Sequence, residues 1–157
     1  MKPEDIRLFR DTVRHLQRFL GWQAKHDADC CGVTIAQCHT LLEIGKKKEL
    51  SLVDLSGMLG LDSSTLSRTI DTMVATKLVN RTANPEDRRY VTLSLTDKGQ
   101  TICDRINQTF DQYYKTVFAR IPADKQQQVM ESFSLLTRAV IDSEGVSCWM
   151  EVTNIDQ

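Results

Sequence analysis

No long apolar run occurs in this sequence. Hydrophobic residues make up 41% of its 157 positions, but they come in short groups, far from the roughly 18 consecutive residues of a membrane span. The opening stretch, MKPEDIRLFRD, alternates charges with single apolar side chains and lacks the continuous apolar core of a secretory signal. A cytoplasmic protein is expected. Charge of one sign is missing too: 20 basic and 21 acidic side chains leave a formal net charge of −1. The whole chain therefore makes no electrostatic case for nucleic acid, and any such case must rest on local clusters. There is no Gly-rich phosphate loop, no pair of carboxylates and no nucleophile–base arrangement tied to a motif, which argues against an enzyme such as a thiol oxidoreductase. Repeats and low-complexity linkers are also absent, and the length suits one domain, 1–157, with a proper core. Cys30, Cys31, Cys38, Cys103 and Cys148 are odd in number and irregular in spacing. They are expected to be thiols rather than a disulfide framework.

What is present is helical periodicity, broken once by a period of two. Ile6, Phe9, Val13, Leu16 and Leu20 recur three and four residues apart and stripe one helix ending near residue 24. His26 to Gly32 is polar and is expected to form a loop. Thr34 with Gln37 has the form of a capping box opening a helix to about Lys47. Ser51 with Asp54 opens a shorter one through Leu59, ended by Gly60, and Asp62 caps a fourth to about Lys77. Val91, Leu93 and Leu95 then alternate with Thr92 and Ser94, as in a strand. Asn80 to Ala83 can pair with it, and Asn84-Pro85-Glu86-Asp87 supplies turn chemistry. Thr96 starts a helix carrying Ile102, Ile106, Phe110, Tyr113, Val117 and Ile121 on one face. Pro122 interrupts it and can begin a last helix, striped by Val129, Phe133, Leu136 and Val140, with Gly145 as a stop. The expected class is mainly α with a small β-hairpin.

The helices at 51–59 and 62–77 are joined only by Gly60 and Leu61, the spacing of a helix-turn-helix. With Leu66, Ile70 and Met73 turned inward, Ser64 and Arg68 point the opposite way at about 100° per residue, flanked by Thr65, Ser67 and Thr72. A short, hydroxyl-rich face with one arginine suits a major groove, where Arg pairs with guanine and Ser or Thr reaches base edges or phosphates. Ser63 and Ser64 sit where free helix N–H groups attract phosphate. The hairpin tip adds Arg88 and Arg89, with Arg81 and Lys77 behind them. Such a tip suits the negative potential of a narrow minor groove, and Asp87 is expected to orient a neighbouring arginine. The run Lys46-Lys47-Lys48 reads as a solvated charge cluster.

Three stretches together resemble the MarR (multiple antibiotic resistance regulator) family: Leu55–Leu59, Ser63-Ser64-Thr65-Leu66-Ser67-Arg68, and Asp87-Arg88-Arg89 followed by Val91-Thr92-Leu93-Ser94-Leu95-Thr96-Asp97-Lys98-Gly99. The resemblance extends along nearly the whole chain, to about Ser143. It implies a winged helix-turn-helix DNA-binding lobe at 33–99, dimerisation helices at 3–24 and 97–143, and a tail at 144–157. It further implies a homodimer on double-stranded DNA, with Ser63 through Thr69 as recognition-helix residues, Arg89 at the wing tip entering the minor groove, and Asp87 as its partner. A regulator of this kind is expected to repress nearby genes and to release DNA when an effector alters the spacing of its two recognition helices.

The effector expectation centres on Cys30, Cys31, Cys38 and His39, with His26, Asp27 and Asp29 just upstream. Adjacent thiols plus a third suit a thiophilic metal or metalloid such as Zn²⁺, Cd²⁺, Cu⁺ or trivalent arsenic, or an oxidant. Zinc-sensing relatives take ligands from this region, although no histidine cluster in the fifth helix completes the set, Cys103 being the candidate there. Against this, Cys38 shares the spacing of Ile35 and Leu42 and so fits a core position. The competing expectations are a regulator responding to small aromatic ligands, with Trp22 and Tyr113 lining a pocket and the cysteines structural, and a DNA-binding protein with no effector.

Overall fold

The computed structural model describes residues 2–83 and 91–142, for 26–30 the backbone alone. The chain runs α1 (Pro3–Cys30), α2 (Ile35–Lys47), β1 (Glu49–Ser51), α3 (Leu52–Leu59), α4 (Ser63–Ala75), β2 (Val79–Ala83), β3 (Val91–Leu95), α5 (Asp97–Phe118) and α6 (Ala123–Ile141). None of the described helices is long and apolar enough to cross a membrane.

Local chemistry sets most of these boundaries. Thr34 and Gln37 close a complete capping box at the start of α2: the Thr34 hydroxyl accepts from the Gln37 N–H, and the Gln37 amide oxygen accepts from the Thr34 N–H. Ser51 accepts from the Asp54 N–H at the start of α3, and Thr96 accepts from the Gly99 N–H at the start of α5. Gly60 ends α3 in the left-handed region at φ 58°, where a side chain would be strained.

α2, α3, α4 and the sheet enclose one sealed core. Leu41, Ile44, Leu55, Leu66, Ile70, Met73 and Leu93 are all completely buried, joined by Ile106 from α5. The sheet order is β1-β3-β2, antiparallel throughout, with Leu50 opposite Leu93 and Arg81 opposite Leu93 on the other side. α5 is clasped to this unit at its first turn. The Thr96 N–H donates to the Leu78 carbonyl, and the Thr96 hydroxyl donates to the Lys77 carbonyl at 2.7 Å. A Cβ placed on Gly99 would lie 2.0 Å from that same Leu78 oxygen. The Leu95-Thr96-x-x-Gly99 pattern is thus the footprint of a close backbone approach.

Two features differ from the sequence expectation. α1 does not stop near residue 24 but continues to Cys30, so most of the expected loop at His26 to Gly32 is helix. Polar composition alone is not a stop signal. The stretch holds Gln23, Ala24, Lys25 and Ala28, all tolerant of a helix, and no breaker until Gly32 at φ 71°. The strand β1 was not expected either. It consists of three residues, entered through Lys48 at φ 68°, and exists because β3 offers it a hydrogen-bonding edge.

The helices outside the core are different in kind. α6 buries none of its residues. Ile6, Leu8, Phe9, Phe19 and Trp22 on α1, and Met130, Phe133, Leu135 and Val140 on α6, are exposed. The α5 stripe begins buried at Ile106 and ends exposed at Val117.

Candidate nucleic-acid interface

α4 is built from the inside out. Leu66, Ile70 and Met73 occupy one face and anchor the helix on the core, as the spacing predicts. The opposite face carries Ser64, Arg68 and Thr72, all exposed, with Thr65 beside them. Ser67 and Thr69 are half-buried at the edges. The Arg68 side chain is exposed and its guanidinium has no ion-pair or hydrogen-bond partner among the described residues.

The start of this helix is not the open anion site expected at Ser63 and Ser64. Asp62 already occupies it. Its carboxylate accepts from the Ser64 N–H at 3.1 Å, the Thr65 N–H at 2.9 Å, and the hydroxyls of Ser64 and Thr65 at 2.6 Å each. These donors, the two hydroxyls foremost, hold the Asp62 carboxyl far below the usual carboxylate range. A negative charge therefore caps the positive end of the helix, and phosphate finds no free N–H at those two positions. Ser64 and Thr65 keep acceptor lone pairs, but their protons are committed. Thr69 and Thr72 likewise donate back to the carbonyls of Thr65 and Arg68. Of the expected contacts, Ser63 and Arg68 are left the least encumbered.

Asp71 was not singled out from sequence. It lies three residues beyond Arg68 and seven beyond Ser64, which puts it beside Ser64 on the outward face. Its Oδ1 accepts from Arg81 Nη1 on β2 at 2.9 Å. Counting sevens from Ser64 would have found Asp71, but nothing in the sequence names its partner. Behind the pair, Lys98 Nζ donates to the Thr76 carbonyl at 3.0 Å, adding positive charge where α4 meets the hairpin. Lys46, Lys47 and Lys48 are exposed. The expected wing-tip residues Asp87, Arg88 and Arg89 lie outside the described residues, as do Gly145 and Cys148-Trp149.

Among the described residues, the cysteine region does not bring Cys31, Cys38 and His39 together. Cys31 and Cys38 are buried in the core cluster, while His39, next in sequence to Cys38, is exposed on the other side of α2. The Cys30 side chain is outside the described residues. Among the described residues, no three His, Cys, Asp or Glu side chains converge in a way that could hold a metal ion. Cys103 is buried on α5 against α2, its thiol 3.5 Å from the Leu41 carbonyl and close against Gly45. Burial, with the nearby charge of Asp104, pushes that thiol up from its ordinary value despite an opposing contact from Asn107. A thiol kept protonated in this way is a poor nucleophile and a poor ligand.

Comparison with known proteins finds similar sequences and similar folds. Residues 33–91 match the model of the MarR family. Over 80 residues the chain is 34% identical to the multiple antibiotic resistance protein MarR of Escherichia coli K12, a stretch covering 51% of this chain and 56% of that protein. It is 25% identical over 118 residues to an HTH-type transcriptional regulator, YsmB, of Bacillus subtilis, covering 74% of this chain and 81% of that one. Among solved structures, a cysteine-to-serine mutant of Escherichia coli MarR complexed with operator DNA superposes with a TM-score of 0.70 at 25% identity, covering 88% of this chain and 96% of the other. A MarR transcriptional regulator from Methanosarcina mazei gives a TM-score of 0.74 at 18% identity, covering 86% and 97%, a likeness of fold.

Proposed function

We propose that this chain, of which residues 33–91 match the model of the MarR family, is a member of that family and a homodimeric transcription regulator that binds double-stranded DNA in the cytoplasm, with α4 in the major groove and the β2–β3 wing alongside. The observation that carries the reading is Arg68: an exposed guanidinium, without a partner among the described residues, on the outward face of a helix whose other face is locked into a sealed core. Such a side chain is held in place by the fold yet free to pair with a guanine edge. The fold it shares with a regulator complexed with operator DNA supports the same placement.

The dimer is supported by the apolar surface of α1 and α6. Phe9, Phe19, Trp22, Phe133 and Leu135 are large side chains left exposed by a single copy, and a second copy of the same helices would cover them. Repression of nearby genes, released when the two recognition helices change separation, completes the proposal. The burial of Cys31 and Cys38, with His39 turned away, favours structural cysteines over a thiol-ligated metal or metalloid as effector.

Selection of binding sites from a random duplex library tests the reading. The parent should recover a two-fold symmetric sequence, and Arg68→Ala should relax the preference at one position per half-site by about 1–3 kcal/mol. A parent that retains no sequence over random DNA at physiological salt would sink the proposal.

A further inference from the structure

We infer that Asp71 and Arg81 act together as a positioning pair, which ties the wing to the recognition helix and aims Arg81 at the DNA backbone, so that discrimination between the specific site and other DNA depends on both. The inference rests on the DNA-binding function proposed above.

Asp71 is anomalous where it stands. Its carboxylate, with 60% of the side chain exposed, sits beside Ser64 on the outward face, the face proposed to meet a polyanion. Taken alone it repels phosphate. Arg81 removes that repulsion at 2.9 Å and is itself fixed in register, because β2 is paired with β3 along its whole length, Arg81 opposite Leu93. Lys2–Glu4, Arg10–Asp11, Arg14–Asp11 and Lys125–Asp124 join positions no more than three apart. This one spans ten positions and links two elements, the two that the function needs at a fixed separation.

An exposed pair of this kind adds little to stability in water, so stability does not account for its place. In an interface with DNA, water is displaced and the pair gains strength. A guanidinium has five donors, and among the described residues that of Arg81 bonds only to Asp71, which leaves its other donors for phosphate oxygens. Asp71 therefore has two effects of opposite sign: its charge opposes DNA of any sequence, and its grip on Arg81 favours the one geometry in which helix and wing engage together.

That opposition makes the test decisive. Binding of the parent, Asp71→Asn, Arg81→Ala and the double variant is measured by fluorescence anisotropy on the selected duplex and on a scrambled duplex, at one salt concentration. Arg81→Ala should weaken the selected site by roughly tenfold, beyond the loss of a single phosphate contact, because it leaves Asp71 bare. Asp71→Asn should weaken the selected site by about threefold, despite removing a negative charge, while holding or tightening the scrambled duplex. The double variant should bind the selected site no worse than Arg81→Ala. Melting temperatures of all four should agree within a few degrees, separating positioning from folding. If Asp71→Asn tightens both duplexes equally, or the two single effects multiply in the double variant, the inference is overturned while DNA binding stands. A parent that does not distinguish the two duplexes fails the DNA-binding reading, and the inference with it.

Discussion

The lobe built from α2 to β3 and the helices α1 and α6 solve the problem of apolar surface in opposite ways. In the lobe, Leu41, Ile44, Leu55, Leu66, Ile70, Met73 and Leu93 are completely buried by one another within a single chain. On α6 no residue is buried, and on α1 Leu8, Phe19 and Trp22 are each about two-thirds exposed or more. One region buries its apolar surface within itself, and the other leaves much of it exposed. A unit that must hold a side chain such as Arg68 at a fixed angle gains from being self-contained. In the homodimer proposed above, the unit that sets the distance between two such lobes reaches into a second copy.

The comparison breaks most severely at the joint between the two regions. Gly99→Ala would push a methyl group to within 2.0 Å of the Leu78 carbonyl, against backbone that also accepts the Thr96 N–H. Neither side can rotate away, so α5 must lift off the lobe. A loss of about 3 kcal/mol or more is expected in urea unfolding, with DNA binding lost alongside. A variant that melts within a degree or two of the parent would show that the joint has slack the geometry denies.

Next in size is the assembly itself. Phe133→Asp places a charge in the exposed stripe of α6, far along the chain from Ile106, the last residue that α5 buries in the lobe core. Sedimentation velocity should show the dimer dissociation constant raised by about a hundredfold, with helical content kept. Since each half-site then has to be held by one copy, specific DNA affinity should fall with it. If Phe133→Asp unfolds the lobe instead, the two regions are less separable than their burial suggests.

How much of this was legible in the sequence depended on how far each signal reached. The capping pairs Thr34–Gln37, Ser51–Asp54 and Thr96–Gly99 act across three residues, and each sits where the spacing puts it. The inward face of α4 followed equally well from Leu66, Ile70 and Met73. The end of α1 did not, because a helix can run on through polar residues such as His26 and Asp27 until Gly32 stops it. β1 was hidden because three residues become a strand only beside β3. At the interface, sequence showed which side chains point outward but not which were already engaged: Asp62 holds Ser64 and Thr65, and Arg81 holds Asp71. The cysteines taught the complementary lesson. Cys38 and His39 are neighbours in the chain, yet α2 sends one into the core and the other to the surface.

Cys38 sharpens the comparison at a smaller scale, because it tests whether the thiols belong to the lobe or to a sensor. As a core side chain, 2% exposed, it should cost about 1 kcal/mol on replacement by alanine, the transfer and cavity cost of an atom the size of a methylene. His39→Ala should cost nearly nothing. Thermal melts with and without added Zn²⁺ should then show the same response for parent and Cys38→Ala. A stabilisation by Zn²⁺ that vanishes in the variant would return Cys38 to the ligand set.

The smallest expected effect lies at the start of α4, where stability and DNA binding oppose each other. Asp62 is ionised in the folded chain at unusually low pH, because the Ser64 and Thr65 hydroxyls and N–H groups all donate to it. A carboxyl whose folded value is depressed contributes stability that is complete above the ordinary carboxylate range and is lost as pH falls through that range toward the folded value. The melting temperature of the parent should therefore exceed that of Asp62→Asn by a constant margin from pH 8 to about 6, and the margin should close below about pH 4. Asparagine is itself a good cap, which keeps the difference small and isolates the charge. The same charge stands at the end of the helix proposed to meet DNA, so Asp62→Asn should bind scrambled duplex slightly more tightly than the parent while melting at a lower temperature. A margin that widens in acid would mean that the Asp62 proton is held more tightly in the folded chain than in the unfolded one, contrary to the four hydrogen bonds that surround it.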